Sequence, residues 1–261
     1  MALFRIEHRP NSVGVMLPLY LIMPDPGQMN ETPLKDRKVL YLLHGLSDDG
    51  SAWSRYTNVE ILAAKYNLVI VMPSVNRSFY IDQRNGQKYF TYLTEELPQY
   101  LKDIFGIDPK PEDTLVAGLS MGGYGALKCA LKQPERFHAA ASFSGVVALE
   151  YMKAIEPDHP RYTEMEVLVG KPDQLAGSQH DPLVWLEQAV ESGEDLPKLY
   201  ISCGRQDLPL YNMGLIFRDA CDSLNVPLTY HEEDGVHEWG LWGREVKRWL
   251  ELTLGKDGKL D

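Results

Sequence analysis

Several absences narrow the class of this chain before any motif is considered. It has three cysteines in 261 residues, Cys129, Cys203 and Cys221. Their spacing holds no metal, and an odd number cannot all pair within one chain. Cys129 and Cys203 fall in apolar stretches and are expected as small core residues, which makes a reducing cytoplasm the expected location. Long hydrophobic runs are also missing. The apolar stretch at residues 13–23 is interrupted by Pro18 and is far too short to span a bilayer. It has neither the charged lead nor the Ala-x-Ala-like site of a signal peptide. There is no basic run, and the net charge is −11, which argues against nucleic acid or an anionic membrane as partner. No P-loop, Gly-x-Gly-x-x-Gly fingerprint or zinc site occurs. The expectation is therefore a chain without metal or cofactor.

The rest of the sequence has an ordinary globular make-up, 44% apolar and 24% charged. Its length fits one large α/β domain or two small ones, and no linker divides it, so a single domain over 1–261 is expected. Apolar runs at 38–43 and 68–72 have the character of strands buried on both faces. Further strands are expected at 2–9, 15–23, 114–117, 137–143, 199–203 and 227–232. Helical spacing falls at 58–66, where Asn58 suits an N-cap, and at 91–105, 183–190, 211–224 and 239–254. The polar stretch 28–37 is expected as a surface loop. Strand–helix alternation across 38–254 predicts an α/β fold, a mostly parallel sheet with helices on both faces. Residues 146–182, with Pro157, Pro160, Pro172 and Pro182, break that rhythm and are expected as an insertion or lid beside a site.

One stretch carries chemistry. Gly118-x-Ser120-x-Gly122 lies between a strand and a helix, the context of a nucleophile elbow. A serine there needs a base, and the base needs an orienting acid, in the chain order Ser, Asp or Glu, His. Of seven histidines, His237 alone is expected in the loop between the last strand and the last helix. Asp207 follows the strand before it, with an N-cap as its structural alternative; Asp222 and Asp234 are less well placed. Two backbone N–H groups would complete an oxyanion hole. Met121, after the nucleophile, supplies one, and Leu46, in the His44-Gly45-Leu46 turn after strand 38–43, supplies the other. Trp53, Tyr80 and Trp239 fall in loops at the same sheet end and are pocket candidates. Glu95 and Glu96 resemble a glycosidase pair only superficially, since neighbours on a helix point about 100° apart. A capping or solvated role is expected for them.

These residues bring a family into view. His44-Gly45-Leu46, Trp53, the run Pro73 to Tyr80, Glu96-Leu97-Pro98, Gly118 to Leu127 and Ser144-Gly145 resemble the esterase D superfamily, closest to its bacterial tributyrin-esterase branch. The resemblance spans about residues 38–245. It implies an α/β-hydrolase fold with antiparallel N-terminal strands, and hydrolysis of short-chain acyl esters, acetyl to butyryl, by a serine carboxylesterase. It also implies Ser120, Asp207 and His237 as the triad and Leu46 and Met121 as oxyanion donors. A small-molecule ester is the expected partner, and a homo-oligomer, dimer or tetramer, is suggested. S-formylglutathione hydrolases, feruloyl and acetylxylan esterases and mycolyltransferases are relatives. The first of these differ in the stretch after His-Gly-Leu and in the histidine loop. A thioesterase, a feruloyl or acetylxylan esterase and a catalytically silent binding protein are the alternatives.

Overall fold

The computed structural model describes residues 1–25, 33, 36–84 and 86–255; the expected loop at 28–37 falls largely outside them. Eight strands form one sheet: β1 (Ala2–His8), β2 (Leu17–Met23), β3 (Val39–Leu43), β4 (Val69–Pro73), β5 (Thr114–Leu119), β6 (Ala139–Phe143), β7 (Lys198–Gly204) and β8 (Leu228–Glu233). Their order is β1-β2-β4-β3-β5-β6-β7-β8. β1 and β2 pair antiparallel, as do β2 and β4, and every pairing from β4 through β8 is parallel.

The inner strands read as unbroken apolar runs because both faces are covered. In β3, Val39, Tyr41 and Leu43 join one core, whereas Leu40 and Leu42 join the other. That is the two-residue period of a strand with no solvated side. The helices are α1 (Ala52–Tyr56), α2 (Val59–Tyr66), α3 (Tyr89–Thr91), α4 (Leu97–Phe105), α5 (Met121–Lys132), α6 (Pro160–Leu168), α7 (Pro182–Ser192), α8 (Leu210–Ser223) and α9 (Trp239–Leu254). The first core is closed by α4, α5, α7 and α8, the second by α1, α2 and α9. In α9, Trp242, Val246, Trp249 and Leu250 are buried. Each such side chain contributes roughly 1.5–3 kcal/mol by leaving water.

Local departures from the sequence pattern have physical causes. The helix expected from residue 91 begins at Tyr89 and passes through a π-helical turn at Tyr92–Glu96. Pro98 has no N–H to give the Thr94 carbonyl one turn back, and an Arg136 guanidinium N–H takes that carbonyl instead. Asn58 precedes α2, but its side chain makes no capping hydrogen bond. Short α1 follows Ser51, where the sequence shows no helical period. Within 146–182 the chain forms 3-10 turns at Glu150–Ala154 and Pro172–Gln174 and the helix α6. Pro160 at the first turn of α6 fits the position where no N–H is needed, and His159 caps that helix by accepting from the Arg161 N–H.

Parallel strands present their carboxyl ends together. The loops after β3, β5, β7 and β8 therefore meet at one edge of the sheet.

Candidate active site

Ser120 sits between β5 and α5 with φ 52° and ψ −116°. This is a left-handed conformation that a side-chain-bearing residue adopts only when its surroundings enforce it. The enforcement is visible in the two flanking glycines. A Cβ on Gly118 would lie 2.4 Å from the Gly122 carbonyl oxygen, and one on Gly122 would lie 2.4 Å from that of Leu43. The turn is pinned by the Ser120 N–H donating to the Phe143 carbonyl at 2.9 Å. As the first residue of α5, Met121 has an N–H without a partner in its own helix.

The loop after β3 is built around a buried histidine. The Val75 N–H donates to His44 Nε2 at 3.0 Å, so the ring proton is on Nδ1, which donates to the Gly45 carbonyl at 2.7 Å. Burial is the largest influence on His44 and lowers its pKa to about 4, which keeps it neutral. Fixing the Gly45 carbonyl fixes the whole Gly45–Leu46 peptide plane. In a trans peptide the N–H points opposite the C=O, so the Leu46 N–H faces away from His44. Among the described residues it has no acceptor.

Asp207 and His237 come together from the loops after β7 and β8. His237 Nδ1 lies 2.9 Å from Asp207 Oδ2. An ionised carboxylate only accepts, so Nδ1 is the donor and Nε2 keeps the lone pair. The aspartate is 4% exposed and the histidine 39%. Asp207 is not the cap of the next helix, since Pro209 holds that position. The imidazole meets the Trp242 ring edge to face at 4.7 Å, and Trp242 is anchored by its Nε1–H to the Ser144 hydroxyl at 3.1 Å.

Ser120, Leu46, Asp207 and His237 all line one cleft of about 510 Å³. Its other walls are largely apolar, from Phe79, Val146, Met152, Met165, Leu210, Met213 and Trp242. Asp48 also faces it, and burial, with Asp49 adding to it, raises the Asp48 carboxyl above its usual range. Of the expected pocket aromatics, Trp239 lines the cleft. Trp53 and Tyr80 do not: both are fully buried. Each instead braces the loop after β3, Trp53 through Nε1–H to the Leu43 carbonyl at 3.0 Å and Tyr80 through its hydroxyl to the His44 carbonyl at 3.0 Å. The contribution of residues 146–182 was not assignable to individual side chains from sequence. Met152, Ile155, Arg161, Glu164 and Met165 come from this segment, which has no regular period to mark them.

The rival residues have other partners. His8 bonds the Tyr92 hydroxyl, Asp234 pairs with Arg205, and Glu96 accepts from the Asn11 and Ser12 N–H groups. The last is a loop tie rather than half of a carboxylate pair. His231, Glu233 and Glu245 gather their ligand atoms within 4.8 Å. Glu233 is occupied by Arg244 and Arg248, and Glu245 by Tyr200, His231 and Arg248. Guanidinium groups therefore already neutralise the charge that a metal would meet. No helix of the described residues is long and apolar enough to cross a membrane.

The fold and the elbow define an α/β serine hydrolase. Within that class the chain belongs to the family of putative esterases, which matches residues 11–250. Fluorophosphonate-binding serine hydrolase F of Staphylococcus aureus, solved with substrate bound, is 34% identical with a TM-score of 0.84, covering 95% of this chain and 96% of that one. An S-formylglutathione hydrolase from the same organism is 33% identical with a TM-score of 0.83 over the same shares. An acetyl esterase of Caldicellulosiruptor saccharolyticus is 28% identical over 85% of each chain.

Proposed function

We propose that this esterase hydrolyses short-chain acyl esters through an acyl-enzyme, with Ser120 as nucleophile, His237 as base and Asp207 as its orienter. The observation that carries this reading is the 2.9 Å His237–Asp207 pair in the same cleft as the strained Ser120. Ser120 Oγ attacks the ester carbonyl carbon while its proton passes to His237 Nε2. The carbonyl oxygen becomes an oxyanion facing the Leu46 and Met121 N–H groups. Collapse breaks the C–O bond to the alcohol, which leaves with the proton from His237. Water, deprotonated by the same imidazole, then releases the acid and restores Ser120. Asp207 stays ionised throughout and holds the imidazolium in place. The apolar walls and the enclosing 146–182 segment suit a small acyl group.

A thioester reading has one specific support, the similarity to the S-formylglutathione hydrolase. Both readings share the acyl-enzyme and differ only in the leaving group.

The test is turnover of acetyl and butyryl aryl esters by the wild type and by Ser120→Ala. We expect a loss on the order of 10⁴-fold or more, and equal rates in the two proteins would refute the assignment. Tributyrin and a glutathione thioester assayed side by side decide the leaving group.

A further inference from the structure

β5 begins at Thr114 beside a second cavity, about 140 Å³ in volume. By the strand rise this lies about 20 Å along the chain from Ser120, at the opposite end of the sheet. Most of its wall is apolar, including Leu93, Pro98, Ile107, Val116 and Phe137. Two side chains that carry donors line that space.

The first is Tyr41, which is 6% exposed. Its hydroxyl has no hydrogen-bond partner among the described residues and is not one of the sealed polar atoms of the interior; it opens on this cavity. Burial raises its pKa, so it remains a neutral phenol that can donate. The second is Arg136. One of its nitrogens serves the Thr94 carbonyl and the Gln133 side chain, and no carboxylate among the described residues lies within ion-pair distance. Asp108, at the rim, is engaged by Lys102 at 2.7 Å. The Cys129 thiol, pushed up to about 12 by burial, adds no charge.

A guanidinium with no ion-paired carboxylate among the described residues, a neutral O–H in the same lining and an otherwise largely apolar wall describe the complement of one kind of molecule. We propose that this cavity binds a small monocarboxylate with a short alkyl tail, its carboxylate held by the Arg136 guanidinium and the Tyr41 hydroxyl. Planar guanidinium donors match a carboxylate geometrically. An apolar cavity of about 150 Å³ holds a benzene, so this volume fits an acid of about six heavy atoms, the size of butyrate. A bulky or multiply charged anion does not fit it.

Methyl NMR tests this directly, because the two pockets have different reporters. Sodium butyrate is titrated into the whole protein while the Leu93, Ile107 and Val116 methyls report this cavity and the Val146 and Leu210 methyls report the cleft. We expect saturable shifts at the first set, with butyramide, the neutral counterpart, at least tenfold weaker. Arg136→Gln is expected to erase that preference. Because Arg136 also serves the Thr94 carbonyl, Tyr41→Phe is the second variant. It removes one hydroxyl and is expected to weaken butyrate several-fold with the methyl spectrum otherwise unchanged. Shifts confined to the cleft methyls, no saturable shift, or equal binding of butyrate and butyramide would overturn the proposal. None of these outcomes depends on whether Ser120 is the nucleophile.

Discussion

The two walls of the cleft are made differently. On one side β5 is buried along its whole length, and α5 leaves only Lys128 and Lys132 outside its buried set. On the other side α6 buries a single residue, Met165. Its main polar tether is the Arg77–Glu164 ion pair, whose side chains are 50% and 26% exposed. Close packing fixes atoms to within fractions of an ångström and makes every added methylene felt. A helix held by one buried side chain and one exposed pair can shift at little cost. In the proposed reaction the nucleophile thus rests on the part of the fold that cannot adjust, and the fit to the rest of the substrate on the part that can.

The sharpest break of this contrast is Asp207→Asn. An amide in place of the buried carboxylate reverses the tautomer demanded of His237, and we expect kcat to fall about 10⁴-fold with the thermal transition nearly unchanged. A drop of less than tenfold in steady-state assays would mean that the Asp207–His237 pair does not carry the reaction.

The next effect is one of pH, through His44. Its folded pKa of about 4 lies below the unfolded value near 6.5, so between these values the unfolded chain binds more protons. Stability is full above pH 6.5 and falls as pH drops towards 4, by about 3 kcal/mol in all. Urea unfolding at pH 7 and at pH 4.5 should show this loss, and His44→Asn, though weaker at neutral pH, should lack that part of it. The smallest effect is expected on the adjustable side. Glu164→Gln should change stability by less than about 1 kcal/mol while raising KM for longer acyl esters and sparing kcat for acetyl esters. A kcat loss with acetyl substrate would place α6 among the parts that hold the chemistry.

The sheet was legible because parallel strands buried on both faces are written as short apolar runs, and β3, β4, β5 and β7 have no competing pattern. The elbow was legible because close backbone approach at Gly118 and Gly122 leaves no room for other residues. Trp53 and Tyr80 show the limit of such reading. Trp53 stands on the short helix α1 rather than in a loop, and Tyr80 in a loop. An aromatic at the correct end of the sheet can face the cleft or stand behind the loop that does. Only the hydrogen bonds to Leu43 and His44 decide which. The same holds for His44, whose buried, neutral role depends on Val75, distant in sequence. Residues 146–182 were opaque for the converse reason: α6 exposes most of its length, so no apolar period records it.

The oxyanion donors proposed at Leu46 and Met121 belong to the main chain. Their side chains are consequently at liberty to serve other purposes, and Met121 already does, since its sulfur accepts the Phe79 N–H at 3.3 Å. Substitution at either position leaves the N–H in place unless the newcomer is proline. Across generations of mutation, this feature would outlast the identity of the residues that provide it. It is inherited through the shape of two turns, while the neighbouring side chains can drift towards new substrates.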